Sequence, residues 1–282
     1  MRDRALATLL AAAMLLPAAA VATPKRRSEL RVDPGTVVRW SEPGAKRCGM
    51  GRRSWRPLEE TCYYPIDLLE KAGPLRITLR TSRRLRVARI VVNPFPYGTE
   101  DVDLGDIPQA HPSPEDLERN VRDQAAVAKL FRRREGPPRF TLPLATPVNP
   151  LPEAKTFGWY RVFNGIPSKQ PHTGADYAVP LGTPVLAAAD GTVLLAEDLF
   201  YSGQSVFLDH GDGLFTMYFH LSEVGVQPGQ DVAKGDRIGV SGSTGRSSGP
   251  HLFFGVRWHG ARIDPRFLLG GPKEIPEIEP PR

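Results

Sequence analysis

The sequence predicts a mainly β protein: a small N-terminal β domain, a linking helix, and a C-terminal antiparallel β-sheet domain with a shallow groove. Three observations predict it. Glycine (27) and proline (29) make up about a fifth of the 282 residues, which suits short strands and turns and opposes a helical bundle. Apolar runs of strand length recur, set off by Asp-Gly and Pro-Gly pairs. Only residues 113–135 keep a helical period. With 40% hydrophobic residues a core can form, and no interior run of 18 apolar residues allows a polytopic membrane protein.

Residues 1–22 read as a secretory signal peptide. Arg2 and Arg4 precede an apolar stretch from Ala5 to Ala20, and Ala20-Val21-Ala22 offers a small-x-small cleavage site. The polar Thr23-Pro24-Lys25-Arg26-Arg27 follows at once, so no transmembrane anchor is expected after cleavage. The expected location is periplasmic or extracellular. Cys48 and Cys62, in an oxidising compartment, are expected to form one disulfide; two packed free thiols are the alternative. The net charge of +6 suits an anionic partner or simple solubility. Export removes most access to nucleic acid, so none is expected as partner, and leaves membrane surfaces, cell-wall polymers and acidic peptides.

Residues 29–108 form the expected N-terminal β domain. Thr36–Trp40 reads as a strand, and Leu75–Arg80 and Leu85–Val92 as a hairpin joined through Thr81–Arg84. Over 113–135, Ser113 can cap, Pro114 suits the first helical turn, and Asp116 completes a capping box. Six prolines between Pro137 and Pro152 mark a boundary. Residues 140–269 are dense in strands: Val185–Ala189, Thr192–Ala196, Ser205–Asp209, Phe215–Leu221 and Leu252–Trp258. The proline-rich tail, 271–282, is expected to be flexible.

Four of the six histidines, His172, His210, His220 and His251, fall in this second β domain. Alternation along a strand sorts their neighbours. In Phe215–Leu221 the expected core face is Phe215, Met217, Phe219 and Leu221, which leaves Thr216, Tyr218 and His220 on a polar face. In His251–Trp258 the core face is Leu252, Phe254, Val256 and Trp258, so His251 points the other way. His172 and Asp176, four apart in extended chain, share a face. Imidazole and carboxylate suit zinc, and a catalytic zinc takes three protein ligands and one open position.

Six segments then occur in order: His172-Thr-Gly-Ala-Asp176-Tyr, Ala188-Ala-Asp-Gly-Thr-Val193, Asp209-His-Gly-Asp-Gly213, Tyr218-Phe-His-Leu221, Gly235-Asp-Arg-Ile-Gly239 and Gly242-Ser-Thr-Gly-Arg-Ser-Ser-Gly-Pro-His-Leu252. Together they resemble the lysostaphin/LytM-type zinc endopeptidases, which cut peptidoglycan cross-bridges. The resemblance covers about residues 140–269. It implies one zinc ion held by His172 and Asp176, with His220 beside the metal-bound water. It implies that His251, first of a His-x-His pair, assists proton transfer. The second histidine of that pair is the family's third zinc ligand, and here the position is Phe253.

Phe253 cannot ligate a metal. His259 shares its strand parity with His251 but lies eight residues on, about 26 Å in extended chain. His251 moving onto the metal is one alternative, and it leaves His220 as the only base; His210 is not a ligand in the family that the chain resembles. Two readings follow. One is an exported zinc endopeptidase acting on peptidoglycan peptide. The other is a ligand-deficient relative that binds peptidoglycan or activates another cell-wall hydrolase. A lipoyl- or biotinyl-type carrier is disfavoured because the turn Phe200–Gly203 holds no lysine.

Overall fold

The computed structural model describes residues 29–132, 136–154, 156–271 and 274–279; the expected signal peptide lies outside them. In chain order the elements are β1 (Leu30–Val32), β2 (Val37–Ser41), β3 (Ala45–Met50), β4 (Arg53–Trp55), β5 (Thr61–Pro65), β6 (Gly73–Thr81), β7 (Leu85–Val92) and β8 (Thr99–Val102). Helix α1 (Pro114–Leu130) follows, then β9 (Tyr160–Phe163), β10 (Ile166–Pro167), β11 (Gly174–Tyr177), β12 (Pro184–Leu186), β13 (Gly191–Leu199) and β14 (Gly203–Asp209). The chain continues through β15 (Leu214–Val224), β16 (Asp231–Val232), β17 (Arg237–Ser241), β18 (Leu252–Trp258), β19 (Ala261–Ile263) and the short α2 (Arg266–Leu269). The protein is mainly β, as its composition predicts.

In the N-terminal part, β1, β7, β6, β3 and β4 form one sheet, and β2 pairs with β5. The predicted hairpin is β6–β7, antiparallel over its whole length. Ile77, Leu79, Ile90 and Val92 alternate inward from it. Cys48 on β3 and Cys62 on β5 are disulfide-bonded, which ties the two sheets across their shared core.

The strand β8 pairs in parallel with β9, and β10 completes that three-stranded sheet. The segment expected to form the N-terminal domain therefore lends a strand to the one that leads into the nine-stranded sheet. The tail also differs from its expected flexibility in the part described. Ile275 and Ile278 are buried, Pro276 O accepts from Arg39 N–H and Ile278 N–H donates to Arg39 O. Two apolar side chains spaced along extended chain are enough to dock it beside β2.

Helix α1 starts as its sequence directs: Ser113 Oγ accepts from Asp116 N–H, and the Asp116 carboxylate accepts from Ser113 N–H, both at 3.1 Å. It ends at Leu130, short of the expected 135. Leu117 and Val121 stay exposed; only Val127, Leu130 and the following Phe131 pack against the sheet. Among the described residues no helix is long and apolar enough to cross a membrane.

The C-terminal part holds a nine-stranded sheet with the path β11-β18-β15-β14-β13-β16 and with β12, β17 and β19 attached. Its main core takes Tyr218, Leu221, Leu252, Phe254, Val256 and Trp258 from the two central strands. A smaller apolar cluster on the opposite face holds Leu195, Leu199, Phe207, Met217 and Phe253.

Candidate functional site

The site is built on three adjacent strands. Asp176 on β11 lies directly opposite Phe253 on β18, and Phe253 directly opposite Phe219 on β15. Their side chains therefore stand in one row on the face away from the main core.

The expected faces of β15 are exchanged. Thr216 and Tyr218 point into the main core and are fully buried, whereas Phe215, Met217 and Phe219 lie on the other face. A hydrogen-bond chain satisfies the buried hydroxyls: His210 Nε2 is 2.7 Å from Thr216 Oγ1, which donates to Tyr218 Oη, and Tyr218 Oη accepts from Ala188 N–H. His220 reaches the site for a different reason. Its φ is +63°, and the pairing of β15 with β14 shifts register across it. Such a bulge lets successive residues project to one side, so His220 joins Phe219 on the groove face although Leu221 returns to the core.

Three imidazoles converge there, each with its Nδ1 on a backbone carbonyl: His172 on Thr156 O (3.1 Å), His220 on Thr244 O (2.8 Å) and His251 on Gly249 O (2.8 Å). Nδ1–H donation to those carbonyls leaves Nε2 as the ring nitrogen available to the site. Asp176 Oδ1 is 3.3 Å from His172 Nε2 and 3.7 Å from His251 Nε2. The His220 and His251 ring centroids are 4.7 Å apart. Burial, and then the charge of His251, pushes His220 down to about 3, so it is neutral at physiological pH. Of the residues singled out from sequence, His172, Asp176, His220, His251 and Phe253 come together. His210 is buried in the core, and His259 stacks on Trp55 at 4.5 Å, in line with its expected exclusion.

Arg161 was not legible as a site residue. From β9 it donates to Asp176 Oδ2 (2.5 Å) and to Glu100 Oε1 (2.7 Å). Burial alone would raise the Asp176 carboxyl; the charges of His172, Arg161 and His251 outweigh it and hold it well below the usual carboxylate range.

A three-ligand zinc centre does not fit these residues. The Phe253 ring lies parallel to Phe219, centroids 4.5 Å apart and planes 5° apart, and is nearly perpendicular to the His172 ring at 5.1 Å. It belongs to an apolar cluster and offers no donor atom. Asp176 Oδ1 is buried without a hydrogen bond and is faced by two imidazoles, while Oδ2 is engaged by Arg161. Among the described residues no three His, Cys, Asp or Glu side chains are arranged to hold a metal ion.

Above the row run two adjoining hollows of about 250 and 340 Å³. One is lined by His172, His220, Phe219 and Phe253, the other by Asp176 and His251; Arg161, Phe163 and Arg246 line both. The expected shallow groove is this trench.

Comparison with known proteins agrees with the architecture. Residues 170–265 match Peptidase family M23. A crystal structure from Pseudomonas aeruginosa, assigned to peptidase M23, is 32% identical with a TM-score of 0.64, covering 84% of this chain and 94% of that one. The peptidoglycan DD-endopeptidase ShyA of Vibrio cholerae is 48% identical over 84 residues, 30% of this chain and 20% of its own length. The DD-carboxypeptidase/endopeptidase Mpg of Neisseria meningitidis is 45% identical over 94 residues, 33% of this chain and 22% of its own. The chain thus matches only about a fifth of the length of these curated relatives. Near-complete mutual coverage with the Pseudomonas structure extends the likeness beyond the peptidase segment, and the chain belongs to peptidase family M23.

Proposed function

We propose that this chain is an exported M23-family protein that binds peptidoglycan peptide in the trench and lacks the family's zinc centre. On this reading it is the ligand-deficient relative, which binds the wall polymer or activates another cell-wall hydrolase. The observation that carries it is Phe253: at the position the family resemblance assigns to the third ligand stands a ring stacked on Phe219. The wall peptide as ligand is supported by relatives named peptidoglycan endopeptidases. Export is supported by the sequence of residues 1–22 and by the paired Cys48 and Cys62.

The test uses purified residues 23–282. The expected result is binding to isolated peptidoglycan, no stoichiometric zinc and no cleavage of cross-linked wall peptide. One equivalent of zinc, with cleavage abolished by His172→Ala, overturns the reading. That outcome would establish the second reading, a zinc endopeptidase of peptidoglycan cross-bridges. The observation favouring it is the approach of the His172 and His251 Nε2 atoms to Asp176 Oδ1. Catalysis there would require His251 to stand in for the missing histidine and leave His220 as the neutral base.

A further inference from the structure

Arg246 stands where the two hollows of the trench meet, with the imidazoles of His172 and His220 in one and Asp176 and His251 in the other. Its placement is over-determined. The loop between β17 and β18 is pinned by Arg246 N–H donating to Tyr201 O at 2.8 Å. The guanidinium carbon then lies 4.0 Å from the Phe163 ring centroid and 4.4 Å from that of Tyr201. Phe163 comes from β9 and Tyr201 from the β13–β14 turn, so two separate parts of the fold hold this one side chain.

The two arginines of the trench differ in what neutralises them. Arg161 is matched by Glu100 and Asp176. Among the described residues the Arg246 guanidinium has no hydrogen-bond or ion-pair partner, and it lies over two aromatic faces. Burial, with the like charge of Arg161 adding to it, lowers its pKa from the ordinary arginine value. Aromatic faces compensate a desolvated cation only in part. A half-buried guanidinium normally finds an anion, because withdrawing it from water is costly. Here its N–H edge is left for something that enters the trench.

We infer that Arg246 is the carboxylate-recognition residue of the trench and fixes a bound wall peptide by one of its carboxylates. The inference rests on the proposal that wall peptide is the ligand. A planar guanidinium matches the two oxygens of a carboxylate with parallel N–H···O bonds. A single unpaired cation suits a monoanion of this kind. Phe163 and Tyr201 hold the guanidinium in place before the ligand arrives, so little side-chain entropy is lost on binding. The carboxylate is either the peptide's C-terminal group or one on a side chain, and the chemistry at Arg246 is the same for both.

The experiment is titration calorimetry of residues 23–282 with synthetic wall stem peptide in three forms: unmodified, C-terminally amidated, and amidated at its side-chain carboxylates. Proteins are the wild type, Arg246→Gln and Arg246→Lys. Amidation of one of the two sources is expected to weaken wild-type binding by about tenfold or more, which identifies the carboxylate used. Arg246→Gln should weaken the unmodified peptide to the same extent and be indifferent to that amidation, with Arg246→Lys in between. Because Arg246 also packs on two rings, folding of each variant is checked by near-ultraviolet circular dichroism; the wild-type comparison of the three peptides stands without the variants. Equal wild-type affinity for all three peptides overturns this inference and leaves the proposed function standing. Failure of the wild type to bind any of them overturns both.

Discussion

Phe253 and Phe219 lie face to face across β18 and β15, directly opposed in register and only 5° from parallel. The pair forms the floor of the trench. Room for it comes from glycine: a Cβ on Gly174 would sit 2.5 Å from Phe253 Cζ, and one on Gly255 2.9 Å from Phe253 Cε1. The aromatic ring is thus packed into a cradle, in the same apolar cluster as Met217 and Phe207.

Phe253→His tests that packing and the missing ligand together. The substitution removes apolar surface and puts a polar ring into the cluster, so a loss of about 2–3 kcal/mol is expected in urea unfolding. Zinc uptake should rise above that of the wild type, measured by elemental analysis after dialysis. Unchanged stability would show that the ring is not held by its neighbours.

Arg161 takes the charge of Asp176 and Glu100 at a site where its own side chain is only 16% exposed. Arg161→Met leaves two carboxylates without their cation and should cost about 3 kcal/mol. Adding Asp176→Asn should return part of that loss, since one stranded charge is removed. The check is a double-mutant cycle from denaturant midpoints at neutral pH.

His210 is fully buried, with Nδ1 2.7 Å from Asp190 O and Nε2 on Thr216 Oγ1. Burial pushes it from 6.5 down to about 4. Between those two values the unfolded chain binds a proton that the folded one refuses. Its contribution is therefore intact above about pH 6.5 and is lost as the pH falls toward 4, on the order of 3 kcal/mol in all. Asp212, raised to about 6 by burial, changes stability the opposite way in that window. The comparison must therefore be wild type against His210→Gln. Their stability difference should shrink on acidification from pH 6.5 to pH 4.

The Cys48–Cys62 bond closes a loop with a sequence separation of 14. Replacing both cysteines with alanine should lower stability by about 3 kcal/mol through the entropy of the unfolded chain. A reducing agent should lower the wild-type unfolding midpoint and leave that of the double variant unchanged.

Motif order across 172–252 was legible because most of the segments carry glycines beside polar residues at fixed places, and Tyr218–Leu221 carries its histidine. The hairpin β6–β7 and the cap of α1 were legible because they depend only on near neighbours. Chain pattern failed on β15. There Thr216 and Tyr218 face the core, and strict alternation could not anticipate the bulge that turns His220 outward. Arg161 and Glu100 could not be found at all, since neither lies in a motif: β8 pairing with β9 sets Glu100 beside Arg161, and Arg161 in turn reaches Asp176 from another strand.

The sequence by itself determined the class of fold, the cystine partners and the absence of a histidine at position 253. Those follow from composition, spacing and residue identity, which are local properties. Only the tertiary structure decided what stands in the histidine's place, which arginine neutralises Asp176 and which remains unmatched. Those are settled by strand register and side-chain packing between residues far apart in the chain, where a ring's neighbours and a charge's counterion come from different strands.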